Sequence, residues 1–281
     1  MSALSTSGLG KHFGGPWVIR NCEVRIPEGK VVGLVGSNGA GKSTLLSLTA
    51  GLTAPSVGTL RVFGAEVRGR IHPDAALLAQ HRPLYSDFTV GEMVRAAAKM
   101  NERWSAERVE QVLDAHPGLD RDARVGSLSR GMRTLLALAL ALGRQPKLLL
   151  LDEVLSDLDV LARDDVLKLV MSDVAERGTT VLMASHVFSD LRDVCDHLVL
   201  MHAGRVLLDG DVEQLLDQHR ELLGPAGEVP AAGAVIHTSG TARQQRALVR
   251  APGPAAEGWA AQRPALDALV ADYLRAGRNE P

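Results

Sequence analysis

Apolar runs and segments with helical spacing alternate along the first three quarters of the chain. VVGLV (31–35), KLLLLDE (147–153) and TTVLMASH (179–186) are almost continuously apolar until they end, which is typical of strands buried on both faces of a sheet. ALLAQ (76–80) is a shorter run of the same kind. Segments with helical spacing lie between these runs, at 42–51, 88–116, 128–144 and 161–178. The alternation predicts an α/β protein with a mainly parallel sheet and helices on both faces.

Strands of a second type stand at the start of the chain. LSTSGL (4–9) and WVIRNCEVRI (17–26) alternate polar and apolar residues, and TLRVFG (59–64) is another short strand. These segments predict a flanking antiparallel β subdomain. Residues 197–210, HLVLMHAGRVLLDG, predict a hairpin with Ala-Gly at its turn.

The amino-acid composition of the chain changes after residue 223. Glycine and proline become frequent around two weak strands, 234–239 and 247–251, and a helix at 265–277 follows. We therefore expect one domain at 1–223 and a small C-terminal α+β appendage at 224–281. Dimerisation, partner docking and stability all remain open as its role.

Composition excludes several classes of protein. The chain has 281 residues, 46% of them hydrophobic, which suits one large domain plus a small appendage. The net charge of −2 gives no sign of a nucleic-acid partner, because such partners select basic surfaces. Two cysteines without a CxxC indicate a reducing cytoplasm, and no secretion signal or membrane span is predicted. Any role at a membrane must therefore depend on a partner.

GSNGAGKST (36–44) fits the phosphate-loop pattern G-x-x-x-x-G-K-[ST]. Glycines let the backbone curl so that its N–H groups face phosphate oxygens, and the next helix adds the positive end of its dipole. We expect Lys42 to reach the β- and γ-phosphates and Ser43 to offer a hydroxyl to Mg²⁺. The strand before the motif and the helix after it are the context that the motif requires. The nucleotide-binding residues predicted here are Gly36, Ser37, Asn38, Gly39, Ala40, Gly41, Lys42, Ser43 and Thr44.

Two acids end the apolar run KLLLLDE. Asp152 is placed to hold Mg²⁺, and Glu153, the next residue, points differently and can act as general base. An Asp-Glu pair after a strand is also a common feature of ordinary loops. The phosphate loop upstream favours the functional interpretation and predicts a P-loop NTPase core.

Further segments carry a resemblance to a known family. LSRGM (128–132) precedes the KLLLLDE strand and SDLD (156–159) follows it, an order that resembles the signature, Walker B and D-loop of ABC-transporter ATP-binding subunits. Gln80 resembles the family's Q-loop glutamine, and His186 its switch histidine. Phe13 stands where the family stacks an aromatic ring on adenine. The resemblance covers roughly residues 4–215, with an exporter-like signature, and implies an inserted helical subdomain at about 84–146.

The resemblance implies an ATPase completed by dimerisation. Each ATP, with Mg²⁺ on Ser43, Gln80 and Asp152, would be held by the phosphate loop of one copy and by Ser129 and Gly131 of another. Asp159 would lie at the interface. The catalytic residues would be Lys42, Gln80, Glu153 and His186. Whether the dimer joins identical or different chains stays open.

Each of these residues also has a plain structural interpretation. Ser129 is an expected helix N-cap, Gln80 suits polar surface, and His186 can be structural. Phe13 suits core packing, with Trp17 as a rival for adenine.

The sequence departs from the family at four positions. Arg130 and Met132 stand where the signature has Gly and Gln, Val154 where Pro is usual, and Asp157 where a small residue is usual. We expect the Val154 change to affect the local loop shape and not the acid before it.

The expected function is ATP hydrolysis that drives transport through a separate membrane permease, with export as the expected direction. The chain would then lie in the cytoplasm on the inner face of the cell membrane. One alternative is a soluble ABC ATPase in translation, repair or Fe–S assembly, and another is a regulatory nucleotide switch.

Overall fold

The computed structural model describes residues 1–81, 84–156, 158–227, 229, 233–250 and 258–278. Its strands are β1 (Ser2–His12), β2 (Trp17–Cys22), β3 (Arg25–Pro27), β4 (Val31–Gly36), β5 (Val57–Val62), β6 (Ala65–Glu66), β7 (Ala75–Leu78), β8 (Leu148–Asp152), β9 (Thr180–Ser185), β10 (His197–His202), β11 (Arg205–Asp211), β12 (His219–Pro225), β13 (Ala234–Gly240), β14 (Gln244–Arg250) and β15 (Ala260–Gln262). Its α-helices are α1 (Lys42–Thr49), α2 (Val90–Met100), α3 (Ala106–Ala115), α4 (Arg130–Gly143), α5 (Val160–Arg177), α6 (Val212–Asp217) and α7 (Leu266–Arg278).

A six-stranded sheet forms the centre of the molecule, in the order β11-β10-β4-β9-β8-β7. All its neighbours are parallel except β10 and β11, which form the predicted hairpin. Ala203 and Gly204 at the hairpin turn both have positive φ, 46° and 81°, as a two-residue turn of this kind requires.

The apolar runs are explained by the two faces of this sheet. Successive residues of β8 point to opposite sides, so Leu148 and Leu150 pack in one core while Leu149 and Leu151 pack in another. Helix α1 and the flanking strands cover the first face, and α4 and α5 cover the second. Because both faces are buried, no polar alternation is possible, and the expected fold class is confirmed.

The flanking sheet is antiparallel, in the order β2-β1-β5-β6, with β3 also paired to β1. The single strand expected over 17–26 is wrong, because β2 and β3 are separate. Asn21 has a left-handed φ of 42°, and the Thr6 hydroxyl bonds both the Cys22 carbonyl and the Val24 N–H. These hydrogen bonds hold the segment to β1 where its regular pairing is interrupted, so the segment divides into β2 and β3.

Helices α2, α3 and α4 fill the expected helical insertion. Thr89 and Glu92 form a capping box at the start of α2, and Ser105 caps α3. Arg108 of α3 forms a buried ion pair with Asp173 of α5, and burial lowers the pKa of Arg108 to about 10. This pair joins the helical insertion to the helix that covers the central sheet.

The C-terminal strands form a third sheet, in the order β13-β14-β12-β15. Its strand β12 crosses residue 223, the boundary proposed from the sequence. Leu248 and Leu269 lie in the same apolar cluster as Leu198 and Leu200 of β10, so the C-terminal segment shares a core with the central sheet. None of the helices in the described ranges has both the length and the apolar character that a membrane crossing requires.

The buried pair between α3 and α5 predicts a large stability effect. Asp173→Ala leaves the Arg108 guanidinium buried without its partner, so the free energy of unfolding should fall by about 3–5 kcal/mol. Denaturant unfolding followed by circular dichroism measures the loss.

Asp164→Ala is the matched control, because Asp164 lies on the same helix in an exposed pair with Lys168. It should cost less than about 1 kcal/mol. Equal effects of the two substitutions would contradict a stabilising role for the buried pair.

Candidate functional site

The phosphate loop joins β4 to α1 through a tight backbone path. A Cβ atom on Gly36 would lie 2.3 Å from the Met201 carbonyl oxygen, and Gly41 has a left-handed φ of 102°. Neither position accepts another residue without strain. The Gly204 N–H at the β10–β11 turn donates to the Ala40 carbonyl at 3.1 Å, so the hairpin supports the loop from outside.

Lys42 is the first residue of α1 and is almost fully buried. Its Nζ donates to the Gly36 carbonyl at 2.8 Å and the Ser37 carbonyl at 3.3 Å, and it lies 3.3 Å from Glu153 Oε1. The ammonium group is thus held inside the curl of the loop, facing the carboxylate.

Asp152 ends β8 and accepts a hydrogen bond from the Ser43 hydroxyl at 3.0 Å. Burial raises the pKa of the Asp152 carboxyl, and the adjacent Glu153 charge raises it further, while the Ser43 bond opposes both effects. A buried carboxylate beside a hydroxyl suits Mg²⁺, which prefers hard oxygen ligands.

Glu153 has a left-handed backbone, with φ at 51°, which for a non-glycine residue costs about 1–2 kcal/mol. The Ala184 carbonyl accepts its N–H at 3.1 Å, and its own carbonyl accepts the Ser156 hydroxyl at 2.5 Å. The conformation turns the side chain away from Asp152. Its Oε2 lies 2.7 Å from His186 Nδ1 and also accepts the His186 N–H at 3.3 Å.

These groups surround a cavity of about 390 Å³. It is lined by Val18, Asn38, Gly39, Ala40, Gly41, Lys42, Ser43, Thr44, Gln80, Glu153 and His186. Gln80 lies in the loop after β7, because that strand ends at Leu78, short of the predicted end at residue 80. The cavity therefore brings the phosphate loop, Glu153 just after β8, and the predicted glutamine and histidine to one place.

Seven predicted residues are not part of this lining. Three of them, Gly36, Ser37 and Asp152, bond the lining residues Lys42 and Ser43, and the other four lie elsewhere. Phe13 is 64% exposed, with Lys11 Nζ 4.7 Å from its ring centroid. Ser129 is an exposed N-cap that accepts the Met132 N–H, Gly131 follows it, and Asp159 caps α5 in the same way. The roles of these four residues remain predictions.

Gly131 brings the starts of α4 and α5 together. A Cβ atom at Gly131 would lie 2.8 Å from Ala162 Cβ, so the two helix starts pack closely there. The signature serine and the Asp159 cap therefore belong to one surface of the molecule.

The described residues that depart from the family pattern lie in apolar clusters or at the surface. Val154 is buried in the main apolar cluster, and Met132 packs at its edge beside Gly118. Arg130 is exposed at the start of α4. Asp157 lies outside the described residues.

For two residues near the site, the sequence analysis predicted no contact with the site. Val18 lines the cavity, and its carbonyl is 3.0 Å from the Cβ position of Gly41, which no local pattern indicates. The Ser156 hydroxyl donates to the Glu153 carbonyl. The only sequence feature that could have indicated this contact is the position of Ser156 three residues after Glu153.

Comparison with known proteins places the chain in a family. The family model described as ABC transporter matches residues 19–156. The bacitracin transport ATP-binding protein BcrA of Enterococcus faecalis is 30% identical over 223 residues, covering 78% of this chain and 72% of the relative. The Nod factor export ATP-binding protein I of Rhizobium johnstonii is 34% identical over 224 residues, covering 77% and 71%. The chain belongs to the ABC transporter family, as an ATP-binding subunit.

Solved structures agree with this family. A structure of an ATP-binding subunit of an ABC transporter has a TM-score of 0.69 at 25% identity, over 77% of this chain and 93% of that one. A nucleotide-free ATP-binding cassette from an ABC transporter has a TM-score of 0.67 at 22% identity, covering 77% and 96%, which shows the fold. The ABC subunit binds ATP and is an ATPase coupled to transport, with a membrane permease as its partner. The comparisons favour this function over a soluble ABC ATPase.

The raised pKa of Asp152 predicts a pH-dependent stability effect. The folded-state pKa of Asp152 lies above the ordinary 3.8, so the folded ABC subunit loses stability as the pH rises from 3.8 to that value, and above it the full cost of ionised Asp152 is present. Without nucleotide or Mg²⁺, Asp152→Asn should therefore melt higher than the wild type at pH 7–8. The difference should stay constant until the pH falls to the raised pKa of Asp152 and should then shrink between that value and 3.8, as scanning calorimetry can measure.

MgATP supplies the control for this comparison. With MgATP the order should reverse, because only the wild type gains the full free energy of binding. An Asn variant that melts lower than the wild type at pH 7 without ligand would contradict the electrostatic cost of Asp152.

Proposed function

We propose that Glu153 activates the water that attacks the γ-phosphate of ATP. The contact between its carboxylate and His186 Nδ1, at 2.7 Å beside Lys42, carries this proposal. A carboxylate buried at the cavity wall and oriented by a histidine has the position that a general base needs. His186 then holds the γ-phosphate.

The phosphate loop supplies the electrostatic part of catalysis. Lys42 and the loop N–H groups from Gly36 to Thr44 bind the β- and γ-phosphates, where charge develops in the reaction. Ser43, Asp152 and Gln80 would hold Mg²⁺, which would supply neutralisation of the phosphate charge.

A second ATP-binding subunit completes the site. Ser129 and Gly131 lie at an exposed helix start outside the lining of their own cavity, which supports their contact with ATP held by another copy. Asp159 would contact the partner from the neighbouring helix start. The exposed side chains of Val160 and Leu161, next in sequence, give this surface an apolar component suited to burial between subunits.

The direction of transport proposed here is export. The relatives named above are a bacitracin transport protein and a Nod factor export protein, and the LSRGM signature resembles those of exporters. The cargo would contact the permease, and the ABC subunit would lie on the inner face of the membrane through that partner.

An apolar groove offers the permease a docking place. A cavity of about 380 Å³ lies between β7, α2 and α4, next to the loop that carries Gln80. Leu52 and Ile71 line it and are 58% and 65% exposed. We propose that a cytoplasmic helix of the permease fills this groove, so that movement near Gln80 is passed to the membrane.

The test of the catalytic base is Glu153→Gln. Removing the base should lower kcat about 10²- to 10⁴-fold while MgATP binding is kept. Phosphate release and binding of a fluorescent ATP analogue measure the two properties. Normal turnover by this variant would discard Glu153 as the base.

The same variant tests the shared site. Glu153→Gln should form a dimer with MgATP in light scattering, and adding Ser129→Arg should return it to a monomer. A stable dimer in the double variant would contradict the placement of Ser129 against the partner's nucleotide.

The docking groove is tested with charges. Leu52→Asp combined with Ile71→Asp should abolish co-purification with the permease, because two carboxylates would be buried against an apolar helix. Val235→Asp, an exposed apolar residue of β13, is the control and should co-purify normally. Equal recovery of the permease by both would place the docking surface elsewhere.

A further inference from the structure

Arg163 and Asp190 form an ion pair between two segments that flank the candidate site. Arg163 Nη1 lies 2.8 Å from Asp190 Oδ1, across 27 residues of sequence. The Asp190 side chain is only 5% exposed, and Arg163 Nε is shielded from solvent. The Arg163 side chain is 35% exposed, so Asp190 is the sheltered partner, and losing Arg163 leaves the Asp190 carboxylate poorly solvated.

Arg163 belongs to the first turn of α5. Its N–H donates to the Asp159 carbonyl at 3.0 Å, and the Asp159 side chain accepts the Ala162 N–H at 2.9 Å. The backbone of Arg163 is therefore fixed one helical turn after the residue proposed to meet the second subunit, and Asp190 holds its guanidinium group. Any shift of the Asp159 cap moves Arg163 with it, because the turn is closed by these bonds.

Asp190 belongs to the segment that carries His186. A single turn of 3₁₀ helix runs from Phe188 to Asp190, and Leu191 after it is buried. Before it, the Ser185 hydroxyl bonds both the N–H and the carbonyl of Val187. Because these local contacts order the segment from Ser185 to Leu191, we expect a shift of Asp190 to move His186, four residues earlier.

The two segments meet at the candidate general base from opposite sides. Ser156, on the path from β8 to α5, holds the Glu153 carbonyl, and His186 holds its carboxylate. Arg163 and Asp190 join the same two segments further along the chain. The segment from β8 to α5 and the segment after β9 are therefore joined at two places, at Glu153–His186 and at Arg163–Asp190.

We propose that Arg163 and Asp190 are a positioning pair that links subunit contact at Asp159 to the alignment of His186 with Glu153. The inference rests on the proposed dimeric ATP site and adds the route by which subunit contact reaches its catalytic groups. When the partner subunit fixes the start of α5, Arg163 fixes Asp190, and His186 is held against the base. Neither residue of the pair touches ATP.

The test is a double-mutant cycle with Arg163→Met, Asp190→Asn and the two combined. Each single substitution should lower kcat about 10- to 100-fold, the effect of misplacing catalytic groups by a fraction of an ångström to 1 Å. The Kd for MgATP should stay within about threefold, because the pair does not contact the nucleotide. The double variant should be no slower than either single variant, since all three break the same pair.

Two further variants separate positioning from general stability. Arg163→Lys keeps the charge and should retain a larger share of kcat than Arg163→Met. Asp164→Asn breaks the exposed pair with Lys168 at the next position of α5 and should leave kcat unchanged. Melting temperatures are measured for every variant.

Three outcomes would overturn the proposal. They are an unchanged kcat in Arg163→Met, additive losses in the double variant, and a joint loss of nucleotide binding and melting temperature. Glu153→Gln in parallel keeps the two proposals apart. If it is inactive while Arg163→Met is normal, only the positioning pair fails, and if it is fully active, the proposed base fails.

Discussion

The parallel register of four central strands is the constraint on which the site depends. Val35 of β4 pairs with Ser185 of β9, and Asp152 of β8 pairs with Ala184, so these strands end at one edge of the sheet. Both faces of the strands are buried, and a slip of one residue would exchange the two faces of every strand involved. The apolar runs thus fix the register, and the register brings the polar residues after each strand together.

At that edge the main difficulty is electrostatic. Asp152 and Glu153 are consecutive and both buried, and the charge on Glu153 raises the pKa of Asp152 beyond the effect of burial. The left-handed backbone at Glu153 sends the two side chains apart, one towards Ser43 and the other towards Lys42 and His186. The strain of that conformation is held by Ser156 and Ala184, and it gives each acid a separate set of partners. Backbone strain is here part of how the site is organised.

The sequence was sufficient wherever a local pattern determines the structure. Three continuous apolar runs became β4, β8 and β9, and the glycine spacing of residues 36–44 located the loop between β4 and α1. The hairpin followed from the Ala-Gly pair at its turn. Each of these features is decided by residues within a few positions of one another.

Contacts between distant segments were not accessible in this way. The break between β2 and β3 depends on the Thr6 hydroxyl, and the Glu153 conformation depends on a carbonyl of β9. Arg163 and Asp190 have no sequence pattern that joins them. The exposed ring of Phe13 contradicts the core-packing alternative given by the sequence, and its contact with adenine remains a prediction. A side chain's neighbours, unlike its periodicity, are set only when the sheet has assembled.

The β10–β11 hairpin has a consequence for the integrity of the whole chain. Its turn braces Ala40 through Gly204, while its outer side receives the last helix, where a Cβ on Gly277 would lie 3.1 Å from Leu207 and 3.3 Å from His202. The phosphate loop and α7 thus pack against different parts of the same two strands. Removing α7 would expose the residues of β10 and β11 that it covers and would weaken their support of the phosphate loop. A change near the carboxyl terminus would therefore affect phosphate binding.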